Sequence, residues 1–216
     1  MTTMAANSLS AETVLQWFQN CAETYEHHQD ELTQLDAAIG DADHGANMAR
    51  GFTAVRAKLA GLKGNDIGTI FKTVAMTLIS TVGGASGPLY GTLFLQAVAG
   101  ANGKMALTQE ELVSVFSAGL KGLMSRGKAM VGEKTMVDAL VPAVEALKPV
   151  GDDSISAALI RAVAAAQRGS DSTVPLVAKK GRASYLGERG AGHRDPGAAS
   201  SVLLLEALQR AIQSSV

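Results

Sequence analysis

The chain has 216 residues and a formal net charge of −1, which excludes a strongly basic nucleic-acid or membrane-surface binder. A chain of this length is read as a single domain spanning residues 1–216, able to bury roughly 70% of its unfolded surface without staples. Its hydrophobic fraction, 47%, is delivered by Ala, Leu and Val with only 4% aromatics, a mix suited to close helix-on-helix packing.

Residues 1–9 are expected to be a flexible extension. Cys21 is the only cysteine, so no intrachain disulfide is possible, and it sits on an apolar stripe as a core residue. No signal-like N-terminus and no run of about 18 apolar residues occurs, so no membrane or nucleic-acid partner is expected and the location is read as cytoplasmic.

The elements follow in order. From Ser10 to about His28, Val14, Leu15, Phe18, Cys21, Ala22 and Tyr25 recur at helical spacing behind Ser10 as N-cap. A short helix from Glu31 to Ala38 leads into a carboxylate-rich turn. Met48, Phe52, Val55 and Leu59 mark a third helix that Asp43 can cap. Ile67, Ile70, Phe71, Val74 and Leu78 mark a fourth, capped by Asn65 or Asp66. It stops at Gly83-Gly84-Ala85-Ser86-Gly87, and Pro88 reads as the first residue of a fifth. Thr108-Gln109-Glu110-Glu111 is a capping box opening a sixth. After a loop from Arg126 to Lys134, a seventh carries Met136, Val137, Leu140, Val144 and Leu147, with Pro142 inside it as a kink or a tolerated early-turn residue. An Ala-rich eighth starts near Ser154 and is interrupted or ended by Pro175. Lys179 to Arg194 is a Gly-punctuated basic loop, and Asp195-Pro196 opens the last helix. No segment has a convincing period of two, so the class is all-α.

The chemistry centres on Asp36, Asp41 and Asp43. Three carboxylates within eight residues repel one another unless a cation lies between them. Their spacing fits no single helix face, so the chain turns at Gly40. Counting from Asp41, the sixth position is Ala46 and the twelfth Phe52, which rules out an EF-hand. An acidic N-cap accounts for one Asp or two; for all three the better reading is a hard cation, and few carboxylates without Cys favour Mg²⁺. Gly83 to Pro88 feeds a helix N-terminus, where N–H groups favour anions and the Ser86 hydroxyl adds a donor. The basic loop could lend an Arg to phosphates. Gly122 to Lys128 has P-loop spacing, but Ala129 stands where Ser/Thr belongs and a helix precedes it.

Ile39 to Gly45, Val82 to Leu89, Gly132 to Asp138 and Gly181 to Arg189 together resemble the nucleotide-binding (L) subunit of dihydroxyacetone kinases. The resemblance spans about Leu15 to Leu208. It implies an antiparallel barrel of eight helices with ADP or ATP at one end. By resemblance, Asp36, Asp41 and Asp43 hold two Mg²⁺ ions. His44, Gly45, Ala46, Asn47, Ala85 and Ser86 line the nucleotide. Gly127 and Met136 lie near base and ribose, and Arg182, Asp195, Pro196 and Gly197 complete the pocket. Pro175 and the N-terminal extension depart from the family's pattern. No general base is assigned in this chain. The resemblance also implies partners: a separate K subunit carrying dihydroxyacetone on a His, and a phosphohistidine protein of the phosphotransferase system that recharges ADP. Exchange of ATP for ADP is the other donor route, and other short ketoses are alternative substrates. The competing class is a nucleotide-dependent regulatory protein docking on a transcription regulator. A homodimer is left open.

Overall fold

A computed structural model describes residues 8–151 and 153–214. The helices are α1 (Ala11–His27), α2 (Gln29–Ile39), α3 (His44–Leu59), α4 (Ile67–Thr81), α5 (Ser86–Ala101), α6 (Gln109–Gly127), α7 (Met136–Ala146), α8 (Ile155–Ser172) and α9 (Pro196–Gln213). Around the ring each of α1, α3, α4, α5, α6, α7, α8 and α9 packs on the next, and α9 closes on α1. This is the eight-helix, all-α barrel expected. The short α2 lies outside the ring, against α3 and α9.

Most starts follow from local chemistry. Ser10, Asp66, Thr108, Thr135, Ser154 and Asp195 each accept a first-turn N–H from their helix. Two expectations need correction. The fifth helix begins at Ser86, two residues before Pro88, because Pro is tolerated anywhere in a first turn. Asp43 sits at the N-cap of α3 but its side chain makes no capping bond. Pro175 lies beyond the end of α8, and part of the basic loop, Arg182–Gly190, is a 3₁₀ segment broken at Gly187.

Inside α7, Pro142 has no N–H for the Asp138 carbonyl one turn earlier. Gly169 of α8 packs against that carbonyl so closely that a Cβ there would stand 2.1 Å from the oxygen.

Connections alternate between the two ends of the barrel. At one end, strand β1 (Ser8–Ser10) pairs antiparallel with β2 (Ala106–Thr108), Leu9 opposite the equally buried Leu107. Ser8 and Leu9, expected in a flexible extension, are therefore anchored; residues 1–7 lie outside the described residues. The few aromatics concentrate in the interior. Trp17, Phe18, Phe71 and Phe94 interlock with ring centroids 4.7–6.3 Å apart, and the Trp17 indole N–H donates to the Leu204 carbonyl. Among the described residues no helix is long and apolar enough to cross a membrane.

Candidate functional site

The other end gathers the α2–α3, α4–α5, α6–α7 and α8–α9 connections around a cavity of about 360 Å³. Each connection supplies one part of its lining.

Asp36, in the last turn of α2, is buried, and its Oδ2 accepts the N–H groups of Asp43 (2.9 Å) and His44 (3.1 Å). It thus does the capping of α3 that Asp43 leaves undone. Gly40 makes room: a Cβ there would lie 2.0 Å from Asp36 Oδ1. Ala42, at φ 61°, turns the chain so that Asp41 and Asp43 face the same spot. One oxygen from each of the three carboxylates lies within 4.8 Å of the others. Opposite ligands of an octahedral Mg²⁺ stand about 4.2 Å apart, so a small closure suits this trio to a hard cation. The donors are all oxygen, which fits Mg²⁺ better than a softer metal. Arg182 Nη2 bonds Asp41 Oδ2 at 2.9 Å and is itself 67% exposed, so the α8–α9 connection reaches over the carboxylates.

Across the cavity, α5 starts with Ala85 at its N-cap and no side-chain capping bond. Its neighbours differ: Asp36 serves α3, the Thr135–Asp138 capping box serves α7, and Asp195 accepts from Ala198 N at 2.7 Å on α9. Among the described residues, the N-terminus of α5 is the helix start at this end without a side-chain cap, and so the one left for an anion. Leu89, Leu123, Ala129, Met136 and Val137 add an apolar wall.

Two buried titratable side chains, Lys134 and Asp195, belong to the lining itself. Lys134, 1% exposed and at φ 61°, donates from Nζ to the carbonyls of Thr173 (2.8 Å), Val174 and His193. It thereby pins the α6–α7 loop to the end of α8. Burial lowers its pKa, against the pull of Asp195. Burial raises the Asp195 carboxyl to about 7; the Ala198 N–H and Lys134 oppose this, and Asp138 and Asp36 add to it. Burial likewise lowers the His44 pKa, in spite of the nearby Asp36 and Asp43.

The DAK2 domain model matches residues 38–210. The chain belongs to the DAK2 domain family. This DAK2 chain is 46% identical over 203 residues to the ADP-binding subunit DhaL of the PEP-dependent dihydroxyacetone kinase of Escherichia coli (strain K12), covering 93% of this chain and 97% of that subunit. It is 44% identical over 200 residues to the ADP-binding subunit DhaL of the PTS-dependent enzyme of Lactococcus lactis, covering 93% and 97%. The crystal structure of the dihydroxyacetone kinase from C. freundii in complex with AMP-PNP and Mg²⁺ matches with a TM-score of 0.71 at 26% identity, over 97% of this chain and 36% of that one. The resemblance carried by the sequence motifs holds over nearly the full chain.

Within this DAK2 domain the cavity brings together Asp36, Asp41, Asp43, His44, Ala85, Ser86, Gly127, Met136, Arg182, Asp195, Pro196 and Gly197. Gly45, Ala46 and Asn47 are not in the lining. Gly45 lets α3 touch α2, where a Cβ would lie 2.0 Å from the Gln29 carbonyl oxygen, and buried Asn47 packs its amide on Gly83 and accepts from Arg50. Sequence reasoning from single residues missed Lys134, Arg126 and Lys180, because a lone basic residue in a polar loop reads as solvated surface.

Proposed function

We propose that this chain is the nucleotide-binding subunit of a two-component dihydroxyacetone kinase. It holds ADP or ATP with two Mg²⁺ ions and passes the terminal phosphoryl group to dihydroxyacetone carried by a separate K subunit. A phosphohistidine protein fed from phosphoenolpyruvate recharges the bound ADP, and the pair works in the cytoplasm. The observation that carries the reading is one cavity that combines an oxygen-only carboxylate trio, an uncapped helix start and an apolar wall. Identity of 46% to an ADP-binding subunit, over 97% of that subunit, supports it.

The residues divide the work. Asp36, Asp41 and Asp43 hold the metal, with Asp36 fixed by its two N–H bonds. An Mg²⁺ held there would supply positive charge to offset that of the phosphates and help align the transferring group. The start of α5, with Ser86, receives phosphate oxygens. Arg182, now paired with Asp41, is long and exposed enough to turn to a phosphate. Leu89, Leu123, Ala129 and Met136 take the flat faces of the base. No general base for the sugar is assigned to this chain, whose contribution is positioning and charge stabilisation.

Two measurements test this. Protein purified, incubated with Mg·ATP, desalted and denatured should release adenine nucleotide; none would overturn the site. Mixed with a cognate substrate subunit and dihydroxyacetone, the chain should yield triose phosphate with the phosphohistidine donor. Product with ATP alone would replace the relay by nucleotide exchange. No product with either donor, despite bound ADP, would leave a regulatory nucleotide-binding protein.

A further inference from the structure

Lys134 borders the cavity yet spends its charge on the chain itself. Its Nζ donates to the carbonyls of Thr173 (2.8 Å), Val174 (3.4 Å) and His193. Three acceptors take the three N–H groups of one ammonium, so none is left for a ligand. The position is a costly one to keep. The side chain is buried, and the backbone stands at φ 61°, where a residue with a Cβ is disfavoured. A buried charge held on a strained backbone points to a function in what it holds.

The three carbonyls identify that. Thr173 and Val174 lead from the end of α8 into the segment 175–191, and His193 lies just beyond it. The Val174 carbonyl also accepts the Gly192 N–H at 2.8 Å, so both ends of the segment meet at the ammonium. Glu133 adds to this stem: its carbonyl accepts the Lys179 N–H at 3.1 Å, and its carboxylate lies 3.7 Å from Lys180 Nζ. The segment has little core of its own. From residue 175 to residue 191 only Ala178 and Gly190 are buried, and the chain turns through positive φ at Gly181 and Gly187. Its course therefore depends on the polar stem more than on packing. From this segment Arg182 Nη2 reaches Asp41 Oδ2, 2.9 Å away.

We propose that Lys134 is a positioning residue whose ammonium clasps both ends of the 175–191 segment and so holds Arg182 over the carboxylate trio. Arg182 is the group that meets the ligand, and Lys134 acts through it. The ligand's part in this rests on the nucleotide reading above; the clasp itself does not.

Two arms test this on the full chain. In metal-free protein, Lys134→Met should quicken amide hydrogen exchange at least about tenfold across residues 182–190, while α1 and α4 keep wild-type protection. Unchanged exchange in the segment refutes the clasp, and a rise shared equally by the helices marks a purely structural role and refutes it too. In the second arm, Lys134→Met should weaken Mg·ADP binding at least about tenfold in the wild-type background, the worth of one hydrogen bond to a charged group, and by less than about twofold in Arg182→Ala. Equal losses in the two backgrounds, or none in either, refute the route through Arg182. If Lys134→Met does not fold, Lys134→Gly, which relieves the positive φ, takes its place in both arms. Wild-type protein that binds no Mg·ADP would instead sink the nucleotide reading, and the exchange arm would still decide the clasp.

Discussion

Replacing Asp36 by Asn separates two jobs held by one carboxylate. Its Oδ2 takes the N–H groups of Asp43 and His44, while Oδ1 faces Gly40. An amide keeps one oxygen for the two N–H groups but puts an NH₂ where a cation needs a lone pair. A hydrogen bond to a charged acceptor is worth about 1.5–3 kcal/mol and a neutral one about 1. Asp36→Ala gives up both bonds and loses roughly 3 kcal/mol at the least; Asp36→Asn weakens them and loses roughly 1. Removing one of three crowded charges further favours Asn in metal-free protein. At this chain length 1 kcal/mol moves Tm by roughly 2–4 °C. By circular dichroism in chelator, Asn should melt within about 4 °C of wild type and Ala roughly 6–12 °C below it. Titration calorimetry should find Mg²⁺-dependent ADP binding lost in both. Asn with wild-type affinity would reduce Asp36 to a helix cap, and Asn melting as low as Ala would refute the assignment of its two N–H bonds.

Other consequences are as direct. Gly40→Ala drives a Cβ to 2.0 Å from Asp36 Oδ1, so the Mg²⁺ concentration needed to retain nucleotide should rise at least about tenfold in a chain that still folds. Arg182→Ala breaks an exposed ion pair worth less than about 1 kcal/mol, so the urea midpoint should hardly move while ADP affinity falls. The Asp195 carboxyl binds its proton more tightly folded, at about 7, than at its ordinary 3.8. Folding therefore takes up a proton between those values, and metal-free protein should lose stability as pH rises from 4 to 7. Asp195→Asn should flatten that slope in denaturant melts across the same range.

The sequence carried those features that depend on neighbours along the chain. The Thr108–Glu111 box and the Asp195-Pro196 start are local chemistry, and each opens its helix as expected. Crowding of Asp36, Asp41 and Asp43 was legible for the same reason. What escaped depends on partners far off in sequence. Lys134 reads as a surface lysine until the carbonyls of Thr173 and His193 surround it. Ser8–Ser10 is too short to show a period of two, and Leu107 makes it a strand. Asp43 has every mark of an N-cap, yet Asp36 arrives from α2 and takes the N–H groups first. Gly45 stands beside the carboxylates in sequence, but the approach of α2 claims its missing side chain.

Because the cavity draws on all four connections at one end, its walls come from residue 36 through residue 197. No helical hairpin holds more than a fragment of it, and α9, whose first turn supplies Pro196 and Gly197, is also the helix that seals the ring against α1. Ligand binding is thereby linked to global rather than local unfolding. A nucleotide present at a hundred times its dissociation constant adds about 2.7 kcal/mol to the cost of opening the ring anywhere. Retention of nucleotide thus reports, late in folding or after truncation, whether the last helix has closed on the first.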